Sequence, residues 1–257
     1  LGQNAPAAAA IIKHTNPCGA AAGDDPLAVL DDAWAGDPIA AFGGILALWS
    51  HVDLPLAEHI AQPGRFLEVI LAPKFSSEAS SRLAERWPNA RLLEYGELER
   101  QPGDIALKTI RGGVLVQEPD NLTTDATTWQ HVAGPKPEAA TLTAATHLWT
   151  IVKHLSSNAV AVGDARGLLG AGAGQMDRLT SCRIAIEKAG TRLAESIGAI
   201  ATSDAFFPFP DGPESLINAG VNTIVQPGGS KRDQESIDLC NQHNVTMLFT
   251  GRRHFRH

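Results

Sequence analysis

The chain has 257 residues, 44% of them hydrophobic, enough to bury a sizeable core in one large domain or two small ones. A formal net charge of −7 excludes the broad basic field that a nucleic-acid backbone requires, so an anionic ligand has to be held by a few local cations, which favours a small molecule. Cys18, Cys182 and Cys240 are too far apart for a CxxC metal site and odd in number, and no apolar run of about 18 residues or secretory leader follows the opening Leu1-Gly2-Gln3-Asn4, so the expectation is a reducing, cytoplasmic protein with no membrane partner.

Along the first half, apolar runs at residues 8–12, 39–48, 67–72 and 90–93 read as strands, with helical spacing between them at 27–34, 54–60 and 78–86. After a Pro- and Thr-rich passage around 123–143 the alternation resumes. Runs at 159–162, 168–171, 199–201, 221–225 and 245–249 alternate with helical patterns at 179–188, 214–219 and 233–241. Two such rounds predict an α/β fold of two related lobes, 1–125 and 126–257, each a sheet covered by helices. The alanines at 7–10 read as the approach to a strand, and no short-period repeat occurs.

Polar groups at the carboxyl ends of strands carry the first functional weight, because ligands of open α/β sheets bind outside those ends. In "IIKHTNPCGAA" this places Lys13 and His14 after an apolar run. Partial burial lowers a lysine pKa and a nearby cation lowers that of a histidine, so such a pair can take a proton from an amine and steady a developing oxyanion. A solvated strand-end lysine beside a hydrogen-bonded histidine explains the dipeptide equally well. The same chain holds a second one, Lys153-His154, where the helical spacing of Leu148, Ile151, Val152 and Leu155 favours a structural reading.

"GLLGAGAGQMDRL", residues 167–179, reads as a glycine-rich turn into a helix, suited either to an anion or simply to a tight turn. Its spacing is not that of a nucleotide fingerprint. "SDAFFPFPDG", residues 203–212, offers aromatic rings beside Asp211, a slot for a flat heterocycle with N–H donors, although core packing accounts for Phe206, Phe207 and Phe209 as well. "QPGGSKRD" follows a strand and opens a helix, and "FTGRRHFRH" places three arginines directly after a strand, where guanidinium forks suit phosphate. The H-x-E and P-C-x-x-C signatures of a zinc deaminase and the G-x-S-x-G elbow of a hydrolase are missing.

Taken in order, "KHTNPCGAA", "DPIAAFGGILAL", "EVILAP", "RGGVLVQ", "SNAVAV", "GAGAGQMDR", "SDAFFPFPDG", "QPGGSKRD" and "FTGRRHFRH" resemble the AICAR transformylase part of the bifunctional purine-biosynthesis family that also carries IMP cyclohydrolase. The resemblance implies transfer of a formyl group from the cosubstrate 10-formyltetrahydrofolate to the 5-amino group of AICAR. It also implies two cytidine-deaminase-like lobes without zinc or another structural metal, a homodimer with active sites at its interface, and a monovalent cation of the kind some relatives bind. By the same resemblance Lys13 and His14 are the catalytic pair, the histidine taking the proton of the amine and the lysine assisting at the formyl group. Asn158 meets the carboxamide and amine of AICAR. Phe42, Gly43, Glu68, Phe206 and, for the phosphate, Arg253 complete the nucleotide end. Arg178, Pro208, Phe209, Asp211 and Ser230 fall at the folate end.

This sequence departs from the family pattern in three respects. It contains neither the cyclohydrolase part nor the Arg-Tyr-Gly-Glu-Asn-Pro-type segment expected before the Lys-His strand, and Asp177 stands where a serine is usual, as a charge beside the folate or as a helix cap. The rival expectations are therefore a formyltransferase for a related aminocarboxamide and a catalytically weak binder of nucleotide or folate.

Overall fold

Three helices of the first half start the same way. Asp25, Asp37 and Asp53 accept the backbone N–H of Leu27, Ala40 and Leu56, each at 3.0 Å, and a proline occupies the first or second helical position. These caps begin α1 (Pro26–Ala35), α2 (Pro38–Ala41) and α3 (Leu54–Ile60). The computed structural model describes residues 1–2, 5–97, 105–121 and 125–257, so Gln3 and Asn4 of the opening and Thr123 and Thr124 of the Pro- and Thr-rich passage lie outside the described residues.

The remaining first-half elements are β1 (Ala7–Lys13), β2 (Asn16–Gly23), β3 (Gly44–Leu48), β4 (Leu67–Ala72), α4 (Ser77–Arg86) and β5 (Arg91–Glu94). A separate hairpin follows, β6 (Ala106–Ile110) and β7 (Gly113–Gln117). The second half contains β8 (Gln130–Ala133), α5 (Ala139–Lys153), β9 (Val160–Asp164), β10 (Gly167–Gly172), α6 (Arg178–Ala189), α7 (Thr191–Ala194), β11 (Ile200–Ser203), α8 (Asp211–Asn218), β12 (Thr223–Gln226), α9 (Asp233–Gln242) and β13 (Thr246–Phe249).

Among the described residues eleven strands form one mixed sheet, in the order β5-β4-β3-β1-β2-β10-β9-β11-β12-β13-β8. The order repeats a single theme. In the first half an antiparallel hairpin, β1 and β2, is followed by β3 antiparallel to β1 and then β4 and β5 in parallel. In the second half β9 and β10 form the hairpin, β11 runs antiparallel to β9, and β12 and β13 follow in parallel. The two runs meet back to back where β10 pairs with β2, through Gly167 and Ala21.

Helices α1, α3 and α4 bury one face of the first half around Ile11, Leu46 and Ile70. In the second half α6, α8 and α9 cover one face, around Val162, Phe207 and Ile224, and α5 covers the other with Leu148, Ile151 and Val152. On the first half's second face lies an apolar hollow of about 540 Å³, lined by Ala8, Ala10, Ala47 and Leu71 from the sheet and by Ile151 and His154 from the end of α5.

Several sequence expectations are corrected. Residues 39–48 are not one strand: the Asp37 cap turns 38–41 into α2, leaving Ile39 87% exposed, and β3 starts only at Gly44. The Asn-Pro-Cys-Gly stretch is itself strand β2, so Lys13 and His14 do not end a parallel strand but close a hairpin. Strands β6, β7 and β8, short or exposed on both faces, have no clear alternation. Of the glycines in "GLLGAGAG", Gly167, Gly170 and Gly172 lie within strand β10, where their smallness serves packing, and Gly174 alone follows the strand, with a φ of 68°. A Cβ on Gly172 would stand 2.0 Å from the Ser181 carbonyl oxygen of α6, just as one on Gly19 of β2 would stand 1.8 Å from that of Ala33 in α1.

Gly172→Ala therefore forces α6 away from the sheet and costs roughly 1–3 kcal/mol. A lower urea midpoint with an unchanged slope is the expected result, and a wild-type midpoint would show that α6 yields without strain.

Candidate functional site

A hollow of about 520 Å³ opens where the second half's chain leaves β11 and β13, enters β9 and starts α6 and α8. The parallel strands β11, β12 and β13 all point their carboxyl ends toward this side, which is where an α/β sheet leaves a crevice. Asn158, Arg178, Phe206, Pro208, Phe209, Asp211 and Arg253, seven of the residues singled out in the sequence, line it together.

Its floor is a buried charge network. Arg178, 7% exposed, pairs through Nη1 with the fully buried carboxylate of Asp204 and donates from the same nitrogen to Ser203 Oγ at 2.8 Å. Its Nη2 donates to Asn158 Oδ1 at 2.8 Å, while Asn158 Nδ2 donates to the Gln175 carbonyl at 3.0 Å. A guanidinium can only donate, so the amide oxygen of Asn158 must face it, and one N–H of the amide is left for the hollow. Asp204 also accepts from Ser157 Oγ and, at 3.1 Å, from the Ala159 N–H. Both oxygens of this carboxylate are thus engaged by the loop that carries Asn158 or by Arg178.

The walls come from alternation in the aromatic stretch. Phe207 points inward and is 1% exposed, its N–H donating to Gln226 Oε1 at 3.0 Å. Phe206 and Phe209 turn outward, each beneath a guanidinium: Arg253 lies 4.7 Å from the ring centre of Phe206 and Arg232 lies 4.8 Å from that of Phe209. Among the described residues Arg253 makes no ion pair, so its charge is available to an anion, whereas Arg232 is bound to Glu235. Asp211 opens α8 and spends one carboxylate oxygen on the Gly212 N–H at 2.8 Å. Asp177 is the N-cap of α6, accepting from Thr180 N at 2.7 Å.

Lys13, His14, Phe42 and Gly43 form a second cluster, on the first half and outside the hollow's lining. Lys13 Nζ donates to the carbonyls of Phe42 at 2.7 Å and Gly43 at 3.0 Å, so its ammonium is anchored at the end of α2. His14 and Thr15 are the two central residues of the hairpin turn, with φ of 49° and 65°. A left-handed backbone costs a residue with a Cβ roughly 1–2 kcal/mol, and no glycine relieves it here. The turn is held from outside: Asn16 Oδ1 accepts from Ser156 N at 2.8 Å, and Arg256 Nη1 donates to the Thr15 carbonyl at 2.6 Å. The other Lys-His dipeptide ends helix α5, with Lys153 its last residue and His154 its C-cap. Burial first, then Lys153 and Arg256, push the His154 pKa down.

Two sequence candidates fall elsewhere. Glu68 is exposed on β4 and lines a different hollow with Arg86 and Trp87. Ser230 sits in the turn before α9, its N–H bonded to Asp233 Oδ2 at 3.0 Å, two residues from the Arg232 that covers Phe209. Sequence reasoning missed the roles of Asp204, Ser157 and Arg256, although all three lie within stretches it had singled out. Composition could flag those stretches, but only tertiary contact assigns them partners. Among the described residues no helix is long and apolar enough to cross a membrane.

Residues 2–188 match the family model described as AICARFT/IMPCHase bienzyme. The chain is 43% identical over 253 residues to the bifunctional purine biosynthesis protein PurH of Rhodopirellula baltica, an overlap of 97% of this chain and 48% of that protein. It is 45% identical over 252 residues to the protein of the same name from Desulfitobacterium hafniense, covering 97% of this chain and 47% of the relative. The corresponding figures for Streptococcus equi are 42%, 248 residues, 96% and 47%. The chain spans about half the length of the curated relatives it matches.

Because Asp204 is fully buried and paired, Asp204→Asn strands the Arg178 charge and is expected to cost about 3–5 kcal/mol. Chemical denaturation of the variant checks this, and a loss under about 1 kcal/mol would mean that the network relaxes around water.

Proposed function

The chain belongs to the AICARFT/IMPCHase bienzyme family, and from that premise we propose that it is a folate-dependent formyltransferase, moving the formyl group of 10-formyltetrahydrofolate to the 5-amino group of AICAR and releasing FAICAR and tetrahydrofolate in purine biosynthesis. The observation that carries the reading is the single hollow in which an unpaired arginine, two outward aromatic rings, a carboxylate and a fixed carboxamide converge.

Each of these groups suits one part of the two substrates. Arg253 over Phe206 offers a cation to the nucleotide's phosphate and a ring face to its base. Phe209 and Pro208 flank the pteridine, and the free oxygen of Asp211 accepts from its N–H groups. Asn158, held by Arg178, presents its remaining N–H to the carboxamide of AICAR. Arg178 serves the folate end as part of the wall and through that hold on Asn158.

The amine of AICAR is a poor nucleophile because its lone pair is delocalised into the imidazole ring. In the proposed step the amine nitrogen attacks the formyl carbon, His14 takes the amine proton, and the fixed ammonium of Lys13 steadies the negative charge forming on the formyl oxygen. The N10 atom of tetrahydrofolate then leaves with a proton.

Two copies of the chain pair in this reading, with the active sites at the interface between them, where Phe42, Gly43 and Glu68 belong to the nucleotide end. Each half is a cytidine-deaminase-like lobe, divided near residue 125. The protein works in the cytoplasm, with a monovalent cation as an accessory and Ser230 at the folate edge.

Mixing the protein with 10-formyltetrahydrofolate and AICAR is expected to produce the absorbance change of tetrahydrofolate formation, and His14→Ala to slow it at least 100-fold, the lower end of the about 10²–10⁴-fold usual for such a base. Turnover of the variant within threefold of wild type would remove His14 from the role. A folded protein that binds AICAR but gives no turnover would replace transfer by binding, or AICAR by a related aminocarboxamide.

A further inference from the structure

His14 stands on a turn whose own residues do not favour its shape. Both central positions have positive φ, and neither is glycine, asparagine or aspartate. Such a turn persists when its surroundings over-determine it. Asn16 supplies one constraint, donating from Nδ2 to the His14 carbonyl at 3.1 Å and accepting from Ser156 N at 2.8 Å. The other comes from the far end of the sequence, 241 residues away, where Arg256 Nη1 donates to the Thr15 carbonyl at 2.6 Å and also to that of His154.

The main chain of Arg256 is engaged as well. Its carbonyl accepts from Ser157 N at 2.9 Å and its N–H donates to Ser157 Oγ at 3.1 Å. Ser157 precedes Asn158 and donates its hydroxyl to Asp204. One residue therefore touches the His14 turn with its side chain and the Asn158 loop with its backbone. Two residues earlier the segment is pinned by His254, whose N–H donates to the Asp204 carbonyl at 2.9 Å, whose ring packs 5.0 Å from Trp149, and whose Nδ1 bonds Asp120 at 2.5 Å. The strap is thus fixed before Arg256 reaches across it.

We propose that Arg256 is a positioning residue for the transfer step: it sets the place of His14 relative to Asn158, and so relative to the reacting amine, without touching either substrate. The inference rests on the reading of His14 as the base. Since Arg253, Phe206 and Asp211 make their contacts independently of the Arg256 side chain, substrate affinity is not its task.

The test uses Arg256→Met, which keeps the stem and removes the donors, and Arg256→Lys, which restores a donor. Arg256→Met is expected to lower kcat at least tenfold with KM for AICAR within twofold of wild type, and Arg256→Lys to recover kcat to within about threefold. Combined with His14→Ala, Arg256→Met is expected to add less than a twofold loss, since a misplaced base matters only where a base exists. An unchanged kcat, a loss confined to KM, or an equal loss with and without His14 overturns the proposal. Should the wild type show no turnover, the transferase reading fails and the ring signals of His14 in the NMR spectrum decide this inference alone. A shift or broadening in folded Arg256→Met supports the positioning role, and an unchanged signal ends it.

Discussion

The pair of Arg178 with Asp204 is the contact on which the candidate site depends. It joins the start of α6 to the residue just after β11, and through Asn158, Ser157 and Ala159 it also holds the loop entering β9. The Asp204 carbonyl then receives the His254 N–H, so the strap after β13 is fastened to the same residue. A buried ion pair returns little net stability once desolvation is counted. What this one contributes is position: the start of α6, the residue after β11 and the loop entering β9 meet at a single carboxylate and guanidinium, and the strap after β13 joins them through the main chain of Asp204.

That arrangement follows from the repeated strand order. Each half runs a hairpin and then three strands in parallel with one another, and the halves join through β2 and β10. The close approach of Gly19 to α1 and of Gly172 to α6 lets a helix lie directly on the second strand of each hairpin. Cross-links hold the halves in register. Lys188 pairs with Asp37 at 2.7 Å, and Arg192 donates to the Gly36 carbonyl at 2.9 Å. The hollow lies in the second half, where the residues after β11 and β13 carry Phe206, Phe209 and an arginine, Arg253, that makes no ion pair among the described residues.

The two Lys-His dipeptides show how context separates chemistry from structure. Lys153-His154 terminates a buried helix, and its histidine is driven toward the neutral form by burial. Lys13-His14 crowns a hairpin whose lysine is tied to two carbonyls and whose histidine is exposed on a left-handed backbone. Nothing within either dipeptide distinguishes them. Helical spacing around the second made its role legible, whereas the first required the pairing of β1 with β2.

By itself the sequence determined the elements whose signal is local. Alternating apolar runs marked β4, β9, β12 and β13, helical spacing marked α1, α3, α4 and α6, and nine ordered motifs carried the family resemblance. It also marked most of the hollow's lining, because aromatic, acidic and arginine residues cluster within two short stretches. Only the tertiary structure decided what those residues do to one another. A guanidinium near a carboxylate, the inward turn of Phe207 between two outward rings, and the reach of Arg256 to a turn 241 residues away are long-range events, set by strand pairing and helix packing. The same reason explains the errors around 39–48 and 167–172. An aspartate cap overrode an apolar run in the one, and helix packing on a strand gave the glycines their purpose in the other. Neither is visible without the partner that imposes it.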